Sequence, residues 1–335
     1  MSANATAVDA GRRTIAVMVL IPVVVALTLW AFAWPASRTA PRDLPIGVAG
    51  PATVVTALEQ GFSRHEGAFE VHRYEDEAAA RAAIENRKVY GAVIVTPGGT
   101  ELLTASAASP VVAGLLREAV TAQAPEGTKV LVTDVVAAPA GDPRGAVLAS
   151  SLLPLALAGA AAGVLATLLG LRGGRAVAAL VGAAALAGAV GAALAHSWLG
   201  ALGGNWWAEA GVLGLTVLAI GSTFAGLAAL VGKPGLGLGA LLMILLGNPF
   251  SGVSSAPELL PTAVGTLGRW LPPGAAGSAL RSVSSFEGAA AGGPLLVLAL
   301  WATAGLTATV LGSLRRRTEP TEPDTAVTPI PARAG

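Results

Sequence analysis

Five long apolar stretches in the second half of the chain constrain its fold more than any other sequence feature. They cover residues 147–171, 176–199, 210–231, 234–253 and 288–314, and none of them contains Asp, Glu, Lys or Arg. Each has about 20 residues or slightly more, which at about 1.5 Å per residue crosses a hydrocarbon layer of about 30 Å. We therefore predict five membrane-spanning helices in this half.

The composition agrees with a membrane protein. The chain is 53% hydrophobic and only 12% charged, with a mean hydropathy of +0.67, whereas a soluble domain has about 25% charged residues. The net charge of +1 sums over both sides of a membrane, and it gives no indication of a nucleic-acid partner. The absence of cysteine excludes disulfides, thiolate metal sites and cysteine nucleophiles.

A sixth apolar run lies near the N-terminus, at residues 15–33, after a polar leader that ends in Arg12 and Arg13. A cleaved signal peptide and an uncleaved anchor both have this pattern. The apolar run is longer than the usual core of a signal peptide, which has about 7 to 15 residues, and Trp30 and Trp34 lie at its far end, where interfacial aromatic residues are typical. We therefore predict a cytoplasmic leader at residues 1–13 and a first transmembrane helix at residues 14–36.

Basic residues orient these six predicted helices. With six spans, the basic residues at the helix ends all lie on one side of the membrane: Arg12, Arg13, Arg172, Arg175, Lys233, Arg315, Arg316 and Arg317. Positive charge is enriched on the cytoplasmic side, so both termini are predicted to be cytoplasmic, and residues 37–146 and 254–287 to face outward. The chain is then a multi-pass protein of the cell membrane, embedded in the lipid bilayer.

The outward segment at residues 37–146 is composed like a soluble domain. Apolar residues in runs and in helical spacing predict strands near 45–48, 69–74, 89–95, 101–105 and 129–136, with helices between them at 53–62, 75–87 and 109–122. Alternating strands and helices over about 100 residues predict a small α/β domain. The predicted fold class is thus an α-helical polytopic membrane protein with six transmembrane helices and an extracytoplasmic α/β domain between the first and second.

Neither an active site nor a cofactor site is predicted. His65 and His72 lie among acidic residues, but they lack the helical spacing that places two metal ligands on one face. A solvated surface is the preferred interpretation. The nearest approach to a phosphate loop, residues 226–233, has five residues between its glycines where four are required, and Pro234 follows the lysine. We predict that this chain is not an enzyme and carries no metal or cofactor.

The fifth apolar stretch is interrupted, since its solidly apolar part ends near Leu246. Helical spacing resumes after it in two short segments separated by prolines, which predicts a pair of short helices, re-entrant or interfacial, within residues 248–287. Irregular backbone at membrane depth is tolerated where protein or a cavity covers it. The candidate structural or transport residues of this segment are Asn248, Pro249, Phe250, Pro261, Pro272, Pro273, Gly274 and Arg281.

Four short segments resemble a known family. They are Gly-Asn-Pro-Phe-Ser-Gly at 247–252, Pro-Glu-Leu-Leu-Pro at 257–261, Leu-Pro-Pro-Gly-Ala at 271–275 followed by Arg281-Ser282, and Asn-Arg-Lys-Val-Tyr-Gly-Ala-Val-Ile-Val at 86–95. With the order of one span, a large outside domain and five further spans, the chain resembles type-2 ABC export permeases, especially their phage-infection-protein-like relatives.

The resemblance implies a membrane subunit that moves a hydrophobic or amphipathic substrate outward, as a homodimer or paired with a second permease, driven by a separate ATPase chain. The candidate contacts for that ATPase are Arg172, Arg175 and Lys233, although the loop between the second and third spans is very short. The alternative function is a non-transporting membrane scaffold or receptor whose outside domain binds a partner. The tail at residues 315–335 is predicted to be a disordered cytoplasmic segment.

Overall fold

The computed structural model describes residues 2–64, 67–123 and 130–318. Six of its helices are long and apolar enough to cross a membrane: Thr14–Ala36, Ala146–Leu168, Gly174–Trp198, Trp206–Val231, Lys233–Phe250 and Gly292–Arg315. The six predicted spans correspond to these helices. The chain is therefore a multi-pass helical membrane protein.

The structure divides the chain into twelve α-helices and five strands within the described residues. In chain order they are α1 (Ser2–Ala36), β1 (Leu44–Ala49), α2 (Ala52–Ser63), β2 (Phe69–Arg73), α3 (Glu77–Glu85), β3 (Gly91–Thr96), β4 (Gly99–Thr104), α4 (Pro110–Gln123), β5 (Leu131–Asp134), α5 (Ala146–Leu168), α6 (Gly174–Ala192), α7 (Trp206–Val231), α8 (Lys233–Ala240), α9 (Gly247–Phe250), α10 (Thr262–Trp270), α11 (Pro272–Ser285) and α12 (Gly292–Thr318). Two π-helical segments, Ala193–Trp198 and Leu241–Leu246, continue α6 and α8, and Pro257–Leu259 is a 3₁₀ turn.

Helix α7 is the centre of the membrane part. It packs against α5, α6, α8, α11 and α12, and most of its length is buried. Small residues make this packing possible, because a Cβ on Gly163 would lie 2.3 Å from the Gly221 carbonyl oxygen and a Cβ on Gly188 would lie 2.3 Å from the Ala210 carbonyl oxygen. Close approach of backbones is the main packing device in lipid, so these glycines fix the positions of α5 and α6 on α7.

The five strands form one sheet with the order β2-β1-β3-β4-β5. Strand β1 runs parallel to β2 and β3, β3 and β4 form an antiparallel hairpin, and β5 runs parallel to β4. Alternate side chains face opposite sides: Ile46 and Val93 pack under α2 and α4, whereas Ala92 and Ile94 pack under α3. These elements follow the alternation of strands and helices that the sequence predicts, and we refer to residues 44–136 as the α/β domain.

The α/β domain shares its core with the segment between α9 and α12. Ala256 and Leu259 are buried in the cluster on the α2 and α4 side of the sheet, and Phe286 is buried in the cluster on the α3 side. The Ala40 amide also donates a hydrogen bond to the Leu259 carbonyl oxygen at 3.0 Å. The membrane part therefore contacts both faces of the sheet.

Candidate functional site

The short helices predicted within residues 248–287 are present as α10 and α11, joined at a sharp break. Pro272 and Pro273 occupy the first turn of α11, where proline's missing amide hydrogen costs no helical hydrogen bond. The break is tightly packed: a Cβ on Gly274 would lie 2.2 Å from the Gly268 carbonyl oxygen, and a Cβ on Gly268 would lie 1.7 Å from the Phe250 carbonyl oxygen. Only glycine fits at these two backbone contacts.

The candidate residues of this segment differ in burial. Phe250, Pro272, Pro273, Gly274 and Arg281 are buried, whereas Asn248, Pro249 and Pro261 are half-buried. Helix α11 packs against α5, α7 and α12, and its alanines belong to the main core of the membrane part. The irregular backbone here is therefore covered by protein.

Arg281 is the buried cation of this segment, with 7% of its surface exposed. Its guanidinium donates a hydrogen bond to the Val253 carbonyl oxygen. Burial lowers the pKa of Arg281 to about 10, because the charged form loses hydration. The sequence singles out Arg281, but not the groups from the α/β domain that surround it.

Those groups come from the turn and strand start after α3. Arg87 donates hydrogen bonds to the Ser278 carbonyl oxygen at 2.8 Å and to the Ser282 hydroxyl at 2.5 Å. Its guanidinium also lies 5.3 Å from the centre of the Phe286 ring, a cation–π distance. Burial lowers the pKa of Arg87. Arg87 thus attaches the α/β domain to α11.

A second link is formed by Tyr90, Glu258 and Arg269. The Tyr90 hydroxyl donates a hydrogen bond to Glu258 Oε2 at 2.7 Å, and Arg269 Nη1 lies 3.8 Å from Glu258 Oε1. Burial and the neighbouring carboxylate both raise the pKa of Tyr90, so its hydroxyl remains a donor at physiological pH. We call Arg87, Tyr90, Glu258, Arg269 and Arg281 the junction cluster.

A cavity of about 200 Å³ lies within the junction cluster, with Lys88, Ser251 and Ser278 also in its lining. An adjoining cavity of about 420 Å³ shares Lys88, Glu258 and Arg269 with it, and is also lined by Arg42, Asp43, Glu70 and His72. The two cavities form a polar groove between the α/β domain and helices α10 and α11.

The predicted ATPase contacts lie in a different part of the molecule. Arg172 and Lys233 line one cavity of about 340 Å³ between the ends of α5, α7, α8 and α12. Arg175, predicted to lie in a loop, is in the first turn of α6. It is exposed and is not in the lining of this cavity. The structure thus brings two of the three predicted residues together.

One buried carboxylate, that of Glu209, is missed by the sequence reasoning. Helix α7 begins at Trp206, four residues before the predicted start, and so includes Glu209, which is fully buried. Its carboxylate lies 2.8 Å from His196 Nδ1 and accepts a hydrogen bond from the Gly204 amide at 2.9 Å. Asn205 caps the helix, and asparagine before an apolar run is a helix-start signal that could have placed Glu209 inside α7.

Other residues considered at the sequence level do not converge. His72 faces Glu70 at 3.4 Å on an exposed surface, and His65 lies outside the described residues. Within residues 2–64, 67–123 and 130–318, no group of three or more His, Asp or Glu residues is arranged to hold a metal ion.

Comparison with known proteins gives one family. The sequence model of the family described as ABC-2 family transporter protein matches residues 12–140, which cover most of α1 and the whole α/β domain. Comparisons with curated proteins and with solved structures find no match. The family match and the six apolar helices together support a membrane-embedded permease component of an ABC transporter.

Proposed function

We propose that this chain is the membrane-spanning subunit of an ATP-driven exporter, energised by a separate ATPase chain, for a hydrophobic or amphipathic substrate. The family match supports the permease role. The segments around residues 247–252, 257–261 and 271–275 favour a phage-infection-protein-like relative within that family. In this proposal both termini are cytoplasmic, the α/β domain faces outward, and the subunit works as a homodimer or beside a second permease.

The observation that carries the proposal is the convergence of Arg172 and Lys233 on one cavity. These residues are 61 positions apart in the sequence and lie at the ends of different helices. Because the α5–α6 connection is only residues 169–173, it cannot form a docking helix of its own. A concave site between four helix ends offers a partner a surface that the loop alone lacks.

In this proposal, the same helices transmit movement from the cavity to α11. Helix α7 has 26 residues, or about 39 Å at about 1.5 Å per residue. Its last turns line the cavity, and it contacts both α8 and α11. In the proposed mechanism, ATPase closure moves the helix ends around Arg172 and Lys233. Helix α7 then transmits this motion to α11, which is attached to the α/β domain through Arg87. Exit of substrate on the outer side follows from this movement.

The test is charge reversal at the cavity. The Arg172→Glu and Lys233→Glu double variant is expected to lose copurification with an ATPase from native membranes, because charges at the edge of an interface steer association. Copurification of the native protein is expected to weaken as salt increases. Arg144→Glu, an exposed residue before α5, is the matched control and keeps the native level.

Two results would refute the proposal. One is full copurification and export by the double variant. The other is that no ATPase copurifies with the native protein from its own membranes at low salt, which would favour the scaffold or receptor alternative.

A further inference from the structure

The cavity of the junction cluster contains an excess of positive charge. Its lining includes four basic side chains, Arg87, Lys88, Arg269 and Arg281, and a single carboxylate, that of Glu258. Among the described residues, Arg87, Lys88 and Arg281 form no ion pair with a carboxylate. Arg281 is buried and Arg87 is half-buried, whereas Lys88 and Arg269 are exposed. Because buried charges in proteins are normally paired, the two arginines favour an anion in this cavity.

The donors of the two guanidiniums are only partly used. Arginine carries five N–H donors. Arg281 donates one hydrogen bond, to the Val253 carbonyl oxygen. Arg87 donates two from Nη1, to the Ser278 carbonyl oxygen and the Ser282 hydroxyl. No buried side-chain nitrogen of the described residues lacks a partner. The remaining donors of Arg281 therefore face the cavities that it lines.

The acidic groups nearby do not balance this charge. Glu258 already accepts from Tyr90 and lies near Arg269. Asp142 attracts Arg281, but it lines a separate small cavity, which Arg281 also borders, and it accepts a hydrogen bond from the Leu148 amide at 2.9 Å. The adjoining cavity adds Asp43 and Glu70 together with Arg42. Over the two cavities, five Arg and Lys side chains thus face three carboxylates, and a positive excess of two remains.

We propose that this cavity binds the phosphate group of an anionic ligand, with Arg87 and Arg281 as the inner contacts and Lys88 and Arg269 at the rim. A phosphate monoester carries about −1.5 to −2 charge at pH 7, which matches the excess. Guanidinium groups bind phosphate through paired hydrogen bonds. Drug-sized ligands occupy about 300–1,000 Å³, so a cavity of about 200 Å³ holds a head group and not a whole amphipath.

Two sources can supply this group, a free phosphate compound and the head group of a lipid-like molecule. The identification of such a molecule as the exported cargo rests on the proposed export function. Binding of the phosphate group does not depend on that function. The test therefore uses the full-length protein purified in neutral detergent, without an ATPase. If export or ATPase copurification fails, the binding result still stands. If binding fails, only the phosphate site is refuted, and the export function is not.

Isothermal titration with three probes distinguishes the sources: inorganic phosphate, dihexanoyl phosphatidic acid and the uncharged dihexanoylglycerol. Binding of the phosphatidic acid at least about tenfold tighter than dihexanoylglycerol supports the site, since one hydrogen bond to a charged group changes affinity by about tenfold or more. If inorganic phosphate binds equally tightly, the ligand is a free phosphate compound; if it binds weakly, the ligand is a head group. Equal binding of the charged and uncharged lipids, or no binding of either phosphate probe, overturns the proposal.

Three variants of the cavity lining and one control variant test whether the ligand binds in this cavity. Arg281→Gln is expected to weaken binding more than tenfold. Because Arg281 also holds Val253, the exposed Lys88→Gln is the variant that leaves the core untouched, with an expected loss of about threefold. Glu258→Gln keeps an acceptor for Tyr90 and removes the opposing charge, so affinity is expected to rise. Arg117→Gln, exposed on α4, is the control with native affinity. Unchanged affinity in both Lys88→Gln and Glu258→Gln would also overturn the proposal.

Discussion

Replacing Gly268 with alanine tests whether the break between α10 and α11 is held by direct backbone contact. The added Cβ would lie 1.7 Å from the Phe250 carbonyl oxygen, whereas real Cβ atoms keep at least 3.0 Å. The two backbones must therefore separate by about 1.3 Å, the difference between these distances. A backbone oxygen cannot rotate away as a side chain can, so this strain reaches the rest of the segment.

The expected cost follows from overpacking. Extra methyl or methylene groups in a packed core cost about 1–3 kcal/mol, sometimes more, and a contact this short belongs at the upper end. Alanine regains at most about 1 kcal/mol through its higher helix propensity. We expect the free energy of unfolding of Gly268→Ala to fall by about 2 kcal/mol or more.

Gly211→Ala provides the matched control, because Gly211 lies in α7 and a Cβ there meets nothing within 4 Å. This variant is expected to be as stable as the native protein or slightly more stable. Equilibrium unfolding of both variants in the same detergent measures the difference. Equal stability of Gly268→Ala and Gly211→Ala would refute the reasoning, and it would mean that α9 and α10 separate without cost.

Two further predictions concern topology and the buried acid of α7. In this cysteine-free chain, Glu118→Cys is expected to react with an impermeant thiol reagent in intact cells and Gly174→Cys only after permeabilisation; labelling at residue 174 in intact cells would contradict the six-span orientation. Glu209→Ala is expected to lower the free energy of unfolding in detergent by about 2–4 kcal/mol, through the cavity and the lost acceptor. Glu209→Gln, which retains an acceptor for the Gly204 amide, is expected to cost less, and an equal loss in the two variants would argue against the hydrogen bonds.

The membrane helices could be predicted because their signal is local. Absence of charge over about 20 residues is sufficient to locate a span, and the five predicted stretches overlap α5, α6, α7, α8–α9 and α12. The predicted start of α7 lies four residues late, because the stretch is bounded by the absence of charge and Glu209 directly precedes residue 210. The strands of the α/β domain are likewise predicted from local runs of apolar residues and from the proline and glycine residues near their ends.

The junction cluster could not be predicted, because its contacts are distant in sequence. The bond between Arg87 and Ser278 joins residues 191 positions apart, and that between Tyr90 and Glu258 joins residues 168 positions apart. No periodicity within either segment encodes which segment the other will meet. Strand order has the same origin, since the pairing of β4 with β5 depends on where α4 returns the chain. Arg281 can be identified from its own segment, whereas the α/β-domain residues around it can be found only from the fold.

The shared core of the sheet has a consequence for the independence of the α/β domain. Leu259 is fully buried among Leu44, Ile46 and Val93, although it comes from the far end of the chain. A fragment of residues 37–146 would lack Ala256, Leu259 and Phe286, and it would expose the apolar surfaces that these residues cover. The matched family region ends at residue 140, before any of them. The unit that folds on its own therefore has to include residues 256–286, and grafting the domain onto another permease would require transferring both segments together.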